Sequence, residues 1–207
     1  MSRVMVENVP FISQLVKYPT GCESVSAVMV LNWAGVEVTV DEFIDNYLAV
    51  GTAPYRDENG ELKGCDPWKE FPGDPRTEKG WGCFLPVVVN AVEKMGAGVE
   101  LVPMRGEPLE KLCHDWIDRG IPLVFWATIH MNPPREYTRW KTSEGKEIVW
   151  ISPMHCLVLI GYDEEGYWFN DPTDGEKKWF PKSAVEAGYT AQGCQALAIL
   201  PKRAGSY

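Results

Sequence analysis

The chain has 207 residues, 45% apolar and 24% charged, which is enough for one domain with a real core and ordinary for a soluble globular protein. Twenty-nine acidic residues against 20 basic ones leave a net charge of −9 and a pI near 4.9, a balance that disfavours nucleic acid as a partner. No apolar run approaches the length of a membrane span, and 9 Trp, 8 Tyr and 7 Phe argue against disorder.

Residues 1–13 read as an extended arm leading to Gln14. The opening MSRVMVENVPF has no apolar signal core, so the chain as it stands reads as cytoplasmic. A removed signal would instead place it outside the cell or in the envelope. Thr20 and Glu23 have the spacing of a capping box ahead of an apolar run closed by Gly35. This predicts a central, buried helix with Thr20 as N-cap and Cys22 in its first turn. The expected consequence is a free Cys22 N–H and a thiol that ionises more easily in the positive end of the helix dipole, with Glu23 opposing. Thr39 and Glu42 form a second capping box for a helix running to about residue 49.

Residues 51–82 are rich in Gly and Pro and read as a long loop with aromatic anchors, serving either as a functional wall or as a surface insertion. Pro86 and Gly96 bracket a third helix, and Pro108 and Gly120 a fourth, with Cys113 on its apolar face. Between them Val99–Val102 is a short strand. From Ile121 the period changes. Strands are expected at 123–129, 154–161, 167–170, 177–180 and 195–200, with a hairpin over 136–151 turning at 143–146 and a short helix opened by Pro181. Helices first and strands later give an α+β layout in one domain, 1–207.

Six cysteines, at 22, 65, 83, 113, 156 and 194, stand singly, and neither His155-Cys156 nor Cys113-His114 has the spacing of zinc ligands. No metal or cofactor is expected, and disulfide pairing is open. A cysteine nucleophile needs a base and a group that orients it. Of the three histidines, His114 sits on an amphipathic helix, His130 ends a strand and His155 begins the strongest strand. Asp171 follows in Asn170-Asp171-Pro172. If the loop is 161–165, Ile160 pairs with Gly166 and His155 lies opposite Asp171; a tighter turn at 163–166 sets Asp171 opposite Val158. Taken singly, His155 is also a plausible strand-end residue and Asp171 a turn former.

The order Gln14, Cys22, His155, Asp171 resembles that of papain-like cysteine peptidases. The segments VPFISQ, TGCES and HCLVLIGYDEEGYWFNDP resemble the bacterial branch related to bacteriocin-processing, double-glycine leader peptidases. The resemblance spans roughly residues 8 to 200. It implies a papain-like fold, with a helical half packed on an antiparallel sheet half. It also implies a Cys22 thiolate, His155 as general base and acid, Asp171 orienting it, and Gln14 donating to the oxyanion beside the Cys22 N–H. Glu23-Ser24 stands where many relatives carry Gly-Pro, and the Gln-to-Cys gap is longer than is common in the leader peptidases. No transporter membrane or nucleotide-binding segment accompanies the domain, so the expectation is a stand-alone hydrolase of peptide or amide bonds acting on a peptide or protein substrate. The alternatives are a catalytically silent peptide-binding module and an acyl transferase that shares the thioester intermediate.

Overall fold

The computed structural model describes residues 3–201. The elements in order are β1 (Val4–Met5), α1 (Cys22–Trp33), α2 (Val40–Asn46), β2 (Val50–Gly51), β3 (Tyr55–Arg56), β4 (Leu62–Lys63) and β5 (Phe71–Pro72). Then come α3 (Leu85–Met95), β6 (Val99–Arg105), α4 (Leu109–Asp115), β7 (Leu123–Thr128), β8 (Arg135–Lys141) and β9 (Glu147–Ser152). The chain closes with β10 (Met154–Tyr162), β11 (Gly166–Asp171), β12 (Gly175–Pro181), α5 (Lys182–Ala191) and β13 (Gln195–Pro201).

Six strands form the main sheet in the order β12-β11-β10-β7-β13-β6, all antiparallel, and β1 adds to the end of β10. The architecture is α+β, as the sequence predicts. Helices cover both faces, however, rather than one. Helices α1, α2 and α3 pack on the face carrying Val124, Trp126, Cys156, Val158 and Ile160. Helices α4 and α5 pack on the face carrying Phe125, Leu157, Leu159 and Phe169. This follows from the strand patterns: β7 and β10 are buried on both sides, which requires an apolar layer above and below.

Helix α1 is the hub of the first layer. Residues 22–31 are all buried, and its apolar residues face every direction, as expected of an internal helix. Each fully buried Val, Met or Leu contributes about 1.5–3 kcal/mol of transfer free energy. The Ser26 hydroxyl donates to the Cys156 carbonyl at 3.1 Å and fixes the helix against β10.

Residues 51–82 are not a structureless loop. Strands β3 and β4 join the predicted hairpin β8–β9 in a second sheet of order β3-β4-β8-β9, and β2 pairs with β5. The aromatic anchors are real: Trp81, Trp140 and Trp150 pack edge to face or tilted, and Trp68 lies against Phe84. β3 and β4 form a local hairpin, but the β8 partner of β4 lies about 80 residues away in the chain, so local periodicity carries no trace of that pairing.

The Thr39–Glu42 capping box on α2 is present as expected. The one expected at Thr20 is not. Helix α1 starts at Cys22 with Gly21 as N-cap and no side-chain cap. The Thr20 hydroxyl donates instead toward the carbonyls of Asp74, Pro75 and Thr77, the last at 3.0 Å. Glu23 turns inward and is fully buried. A long-range loop has taken both partners of the local motif.

Candidate active site

Cys22 stands at the first turn of α1, 6% exposed, with no acceptor for its N–H among the described residues. His155 and Asp171 lie at the facing ends of β10 and β11, 1% and 0% exposed. His155 Nε2 and Asp171 Oδ1 are 2.8 Å apart. The turn is the tighter of the two expected, at 163–166, but the pairing at the site is neither of those expected. Tyr162 pairs with Tyr167 through a tight turn closed by Asp163 N–H to Gly166 O, and a bulge at Ile160 then shifts the pairing so that Val158 faces Asn170. Extending that register sets Asp171 across from Leu157. His155 and Asp171 therefore meet as diagonal neighbours on one side of the strands, a separation that two polar side chains can bridge.

Thr173, which sequence reasoning did not single out, completes the pair. Its hydroxyl donates to Asp171 Oδ1 at 2.7 Å and its N–H does so at 2.9 Å, and the hydroxyl lies 3.4 Å from His155 Nε2. Asp171-Pro-Thr173 is the spacing of an Asx turn, and that is the sequence signal for it. Burial alone would raise the Asp171 carboxyl; the His155 contact and then Thr173 overcome this and lower it to about 2.

Gln14 lies beside both ends of the site. Its main-chain N–H donates to Pro172 O at 3.0 Å, and its Nε2 donates to Pro19 O at 3.0 Å. One Nε2 hydrogen is left over. Oε1 is buried with no hydrogen-bond partner among the described residues. The remaining histidines are exposed and contact other carboxylates, His114 that of Asp118 and His130 that of Asp174, which follows Thr173 in the same turn.

The Cys22 thiol differs from expectation. Burial first, then the Glu23 carboxylate, push it well above the ordinary value, and the Cys156 main-chain N–H facing the sulfur only partly opposes this. A helix start favours the thiolate by about 0.3–2 kcal/mol. Full burial beside a carboxylate outweighs that. Cys22 Sγ donates to Glu23 Oε2 at 3.4 Å, and Glu23 Oε1 accepts from Cys83 N–H at 2.6 Å. No hydrogen bond joins Cys22 to His155 among the described residues; His155 acts on Glu23 through charge.

Residues 74–83 form one wall over the start of α1. A Cβ at Gly80 would collide with Thr20, and one at Gly82 (φ +123°) with Met154 and Glu23, so glycine is required at both. A polar cavity of about 740 Å³, lined by Thr52, Lys63, Cys65, Asp66, Glu70 and Thr142 among others, lies in the second sheet and includes none of Gln14, Cys22, His155 and Asp171. All six cysteines are free thiols. Among the described residues no group of three or more His, Cys, Asp or Glu is placed to hold a metal, and no helix is long and apolar enough to cross a membrane.

A sequence model of the Peptidase_C39 like family matches residues 6–197. The uncharacterized protein YvpB of Bacillus subtilis is 28% identical over 179 residues, covering 86% of this chain and 68% of that protein. Among solved structures, a C39-like peptidase candidate from Bacillus anthracis superposes with a TM-score of 0.83 at 27% identity, over 97% of this chain and 98% of that one. A double glycine motif protease from an AMS/PCAT transporter, in complex with its leader peptide, shares the fold at a TM-score of 0.50 and 16% identity, over 97% and 99% of the two chains.

Proposed function

Since the chain belongs to the Peptidase C39-like family, we propose that it hydrolyses peptide bonds through Cys22, His155 and Asp171, with Gln14 assisting the oxyanion. The observation that carries this reading is the buried 2.8 Å contact between His155 Nε2 and Asp171 beside the start of α1. An Asp171 carboxylate ionised down to about pH 2 can only accept a hydrogen bond, so the His155 Nε2 facing it carries the hydrogen. That assigns the tautomer and leaves Nδ1 as the basic nitrogen.

The steps follow from this arrangement. Cys22 Sγ attacks the scissile carbonyl carbon while its proton passes to His155 Nδ1, so the thiol need not ionise beforehand. The carbonyl oxygen gains negative charge, which the Cys22 N–H and the free Nε2 hydrogen of Gln14 stabilise. The C–N bond then breaks, His155 protonates the departing amine, and an acyl thioester on Cys22 remains. Water deprotonated by His155 releases the acid and restores the thiol.

A peptide substrate agrees with the fold relative that holds a leader peptide. The walls available to it are residues 74–83 and the β8–β9 hairpin. Leu15 and Val16, 65% and 95% exposed, follow Gln14 directly and offer apolar side chains at the surface. The test is cleavage of a proteome-derived peptide library by wild type beside Cys22→Ala. Cleavage that depends on Cys22, with a sequence preference, is expected. Equal product from both proteins overturns the reading.

A further inference from the structure

The mechanism above leaves one buried ionisable group beside the nucleophile unused. Glu23 is fully buried, one residue after Cys22, and its two oxygens are divided between two tasks. Oε1 accepts the Cys83 N–H at 2.6 Å and closes the 74–83 wall onto the helix. Oε2 accepts the Cys22 thiol proton at 3.4 Å. A wall anchor needs only a neutral acceptor; a side-chain amide would serve. Burying a carboxylate costs far more than burying an amide, so a charge retained here calls for an explanation beyond packing.

We propose that Glu23 is a positioning residue of the reaction: it holds the Cys22 thiol proton and sets the pH at which the nucleophile forms. The proposal rests on the reading of Cys22 as nucleophile. When Glu23 is ionised, a thiolate 3.4 Å away would be a second negative charge in a dry site, so the resting pair is thiol and carboxylate. When Glu23 is protonated, that opposition disappears. Burial places its titration at about 7, within the range where a peptidase works.

The groups facing Glu23 come from three elements. Cys22 lies on its own helix. The Cys83 thiol lies on the wall, and the Cys156 thiol and His155 lie on β10. Glu23 pushes both of those wall and strand thiols upward, as it does Cys22, whereas the Cys83 N–H, the Cys22 thiol and then the His155 charge favour Glu23 ionisation. Asp171 bears on this cluster through its contact with His155 and through its charge at Cys156.

The test compares the pH dependence of iodoacetamide alkylation at Cys22 in folded wild type and Glu23→Gln, with the labelled peptide located by mass spectrometry. Glutamine keeps an oxygen for the Cys83 N–H, so a merely structural role predicts superimposable profiles, and that result overturns the proposal. The expected result is a Glu23→Gln profile moved to lower pH, with alkylation at pH 7 faster by about tenfold, the effect of one pH unit. The acid limb of kcat/KM should move the same way, with KM little changed. Should Glu23→Gln not fold, carboxyl-carbon NMR of Glu23 in wild type and Cys22→Ala decides. Loss of the thiol donor should raise the Glu23 midpoint, by the reciprocity of linkage; an unchanged midpoint overturns the proposal. Hydrolysis surviving in Cys22→Ala overturns the nucleophile reading itself, and the proposal with it, whatever the Glu23 profiles show.

Discussion

Two buried carboxylates flank the proposed reaction centre, and they behave in opposite ways. Asp171 is lowered to about 2, while Glu23 is raised to about 7. Burial pushes both upward. The difference lies in the partners. Asp171 faces an imidazole that can carry positive charge, together with a hydroxyl and an N–H from Thr173. Glu23 faces a thiol and a single main-chain N–H from another segment. One acid is thereby kept permanently charged to orient a base, and the other is left able to change charge next to a nucleophile. The comparison teaches that depth alone assigns no role to an acid; what donates to it does.

The largest effects should appear where the ionised acid meets its base. His155→Ala should lower kcat by about 10⁶ and Asp171→Ala by about 10⁴, because Asp171 only holds and charges the imidazole. Steady-state kinetics with circular dichroism as a fold control measures this; His114→Ala and His130→Ala should stay within a few-fold of wild type. If the two large losses come in the reverse order, Asp171 is more than an orienting group.

Gln14→Ala should lower kcat by about 10²–10³ with little change in KM, the effect of losing one oxyanion donor. Alkylation of Cys22 should remain as fast as in wild type, since displacement at an alkyl halide makes no oxyanion. A loss that falls wholly in KM would leave Gln14 as a substrate contact.

The contrast between the two acids also has a stability form. The raised Glu23 carboxyl keeps its proton in the folded chain after an unfolded one has lost it. Folding stability should therefore fall as pH rises from about 4.5 to 7, by about 3 kcal/mol. Asp171 has the opposite sign. Its contribution of about 2 kcal/mol is complete above about pH 4 and disappears as pH falls through about 2. Urea melts across pH should show Glu23→Gln gaining on wild type between about pH 4.5 and 7 and holding that gain above it, and Asp171→Asn lacking the Asp171 contribution at every pH above about 4. Parallel curves for both variants would erase the distinction. The smallest effect belongs to Thr173→Val, which removes the 2.7 Å hydroxyl bond to Asp171 but keeps the N–H; about 1 kcal/mol of stability and a few-fold in kcat should go.

Much of this was legible in the chain because the signals were local. Pro86, Pro108 and Pro181 mark helix starts, Gly96 marks a stop, and Thr39 with Glu42 caps α2, all within a few residues of what they control; α4 ends at Asp115, short of the expected stop at Gly120, which closes a separate 3-10 turn over Ile117–Arg119. His155 and Asp171 stand in hydrogen-bond contact, and the Gln14 N–H reaches the Pro172 carbonyl next to Asp171. The failures share a cause. Thr20 and Glu23 satisfy the local capping pattern, yet residues 74–83, more than 50 positions on, claim the hydroxyl and the carboxylate. The His155–Asp171 register depends on a bulge at Ile160, which leaves no mark in the strand's apolar pattern. The thiol's protonation was misjudged because the burial of Cys22 is supplied by α1's neighbours, not by α1.

The three indoles of the wall add an optical property. Trp81 comes from the segment that closes over Glu23, whereas Trp140 and Trp150 belong to the β8–β9 hairpin, and their ring centroids lie 5.5–5.7 Å apart. Transition dipoles at that spacing couple strongly, so the trio gives an exciton signature in the near-ultraviolet. Any displacement of the 74–83 segment from the hairpin separates one chromophore from the other two. The wall thus carries an intrinsic spectroscopic ruler, readable in the native protein without a label.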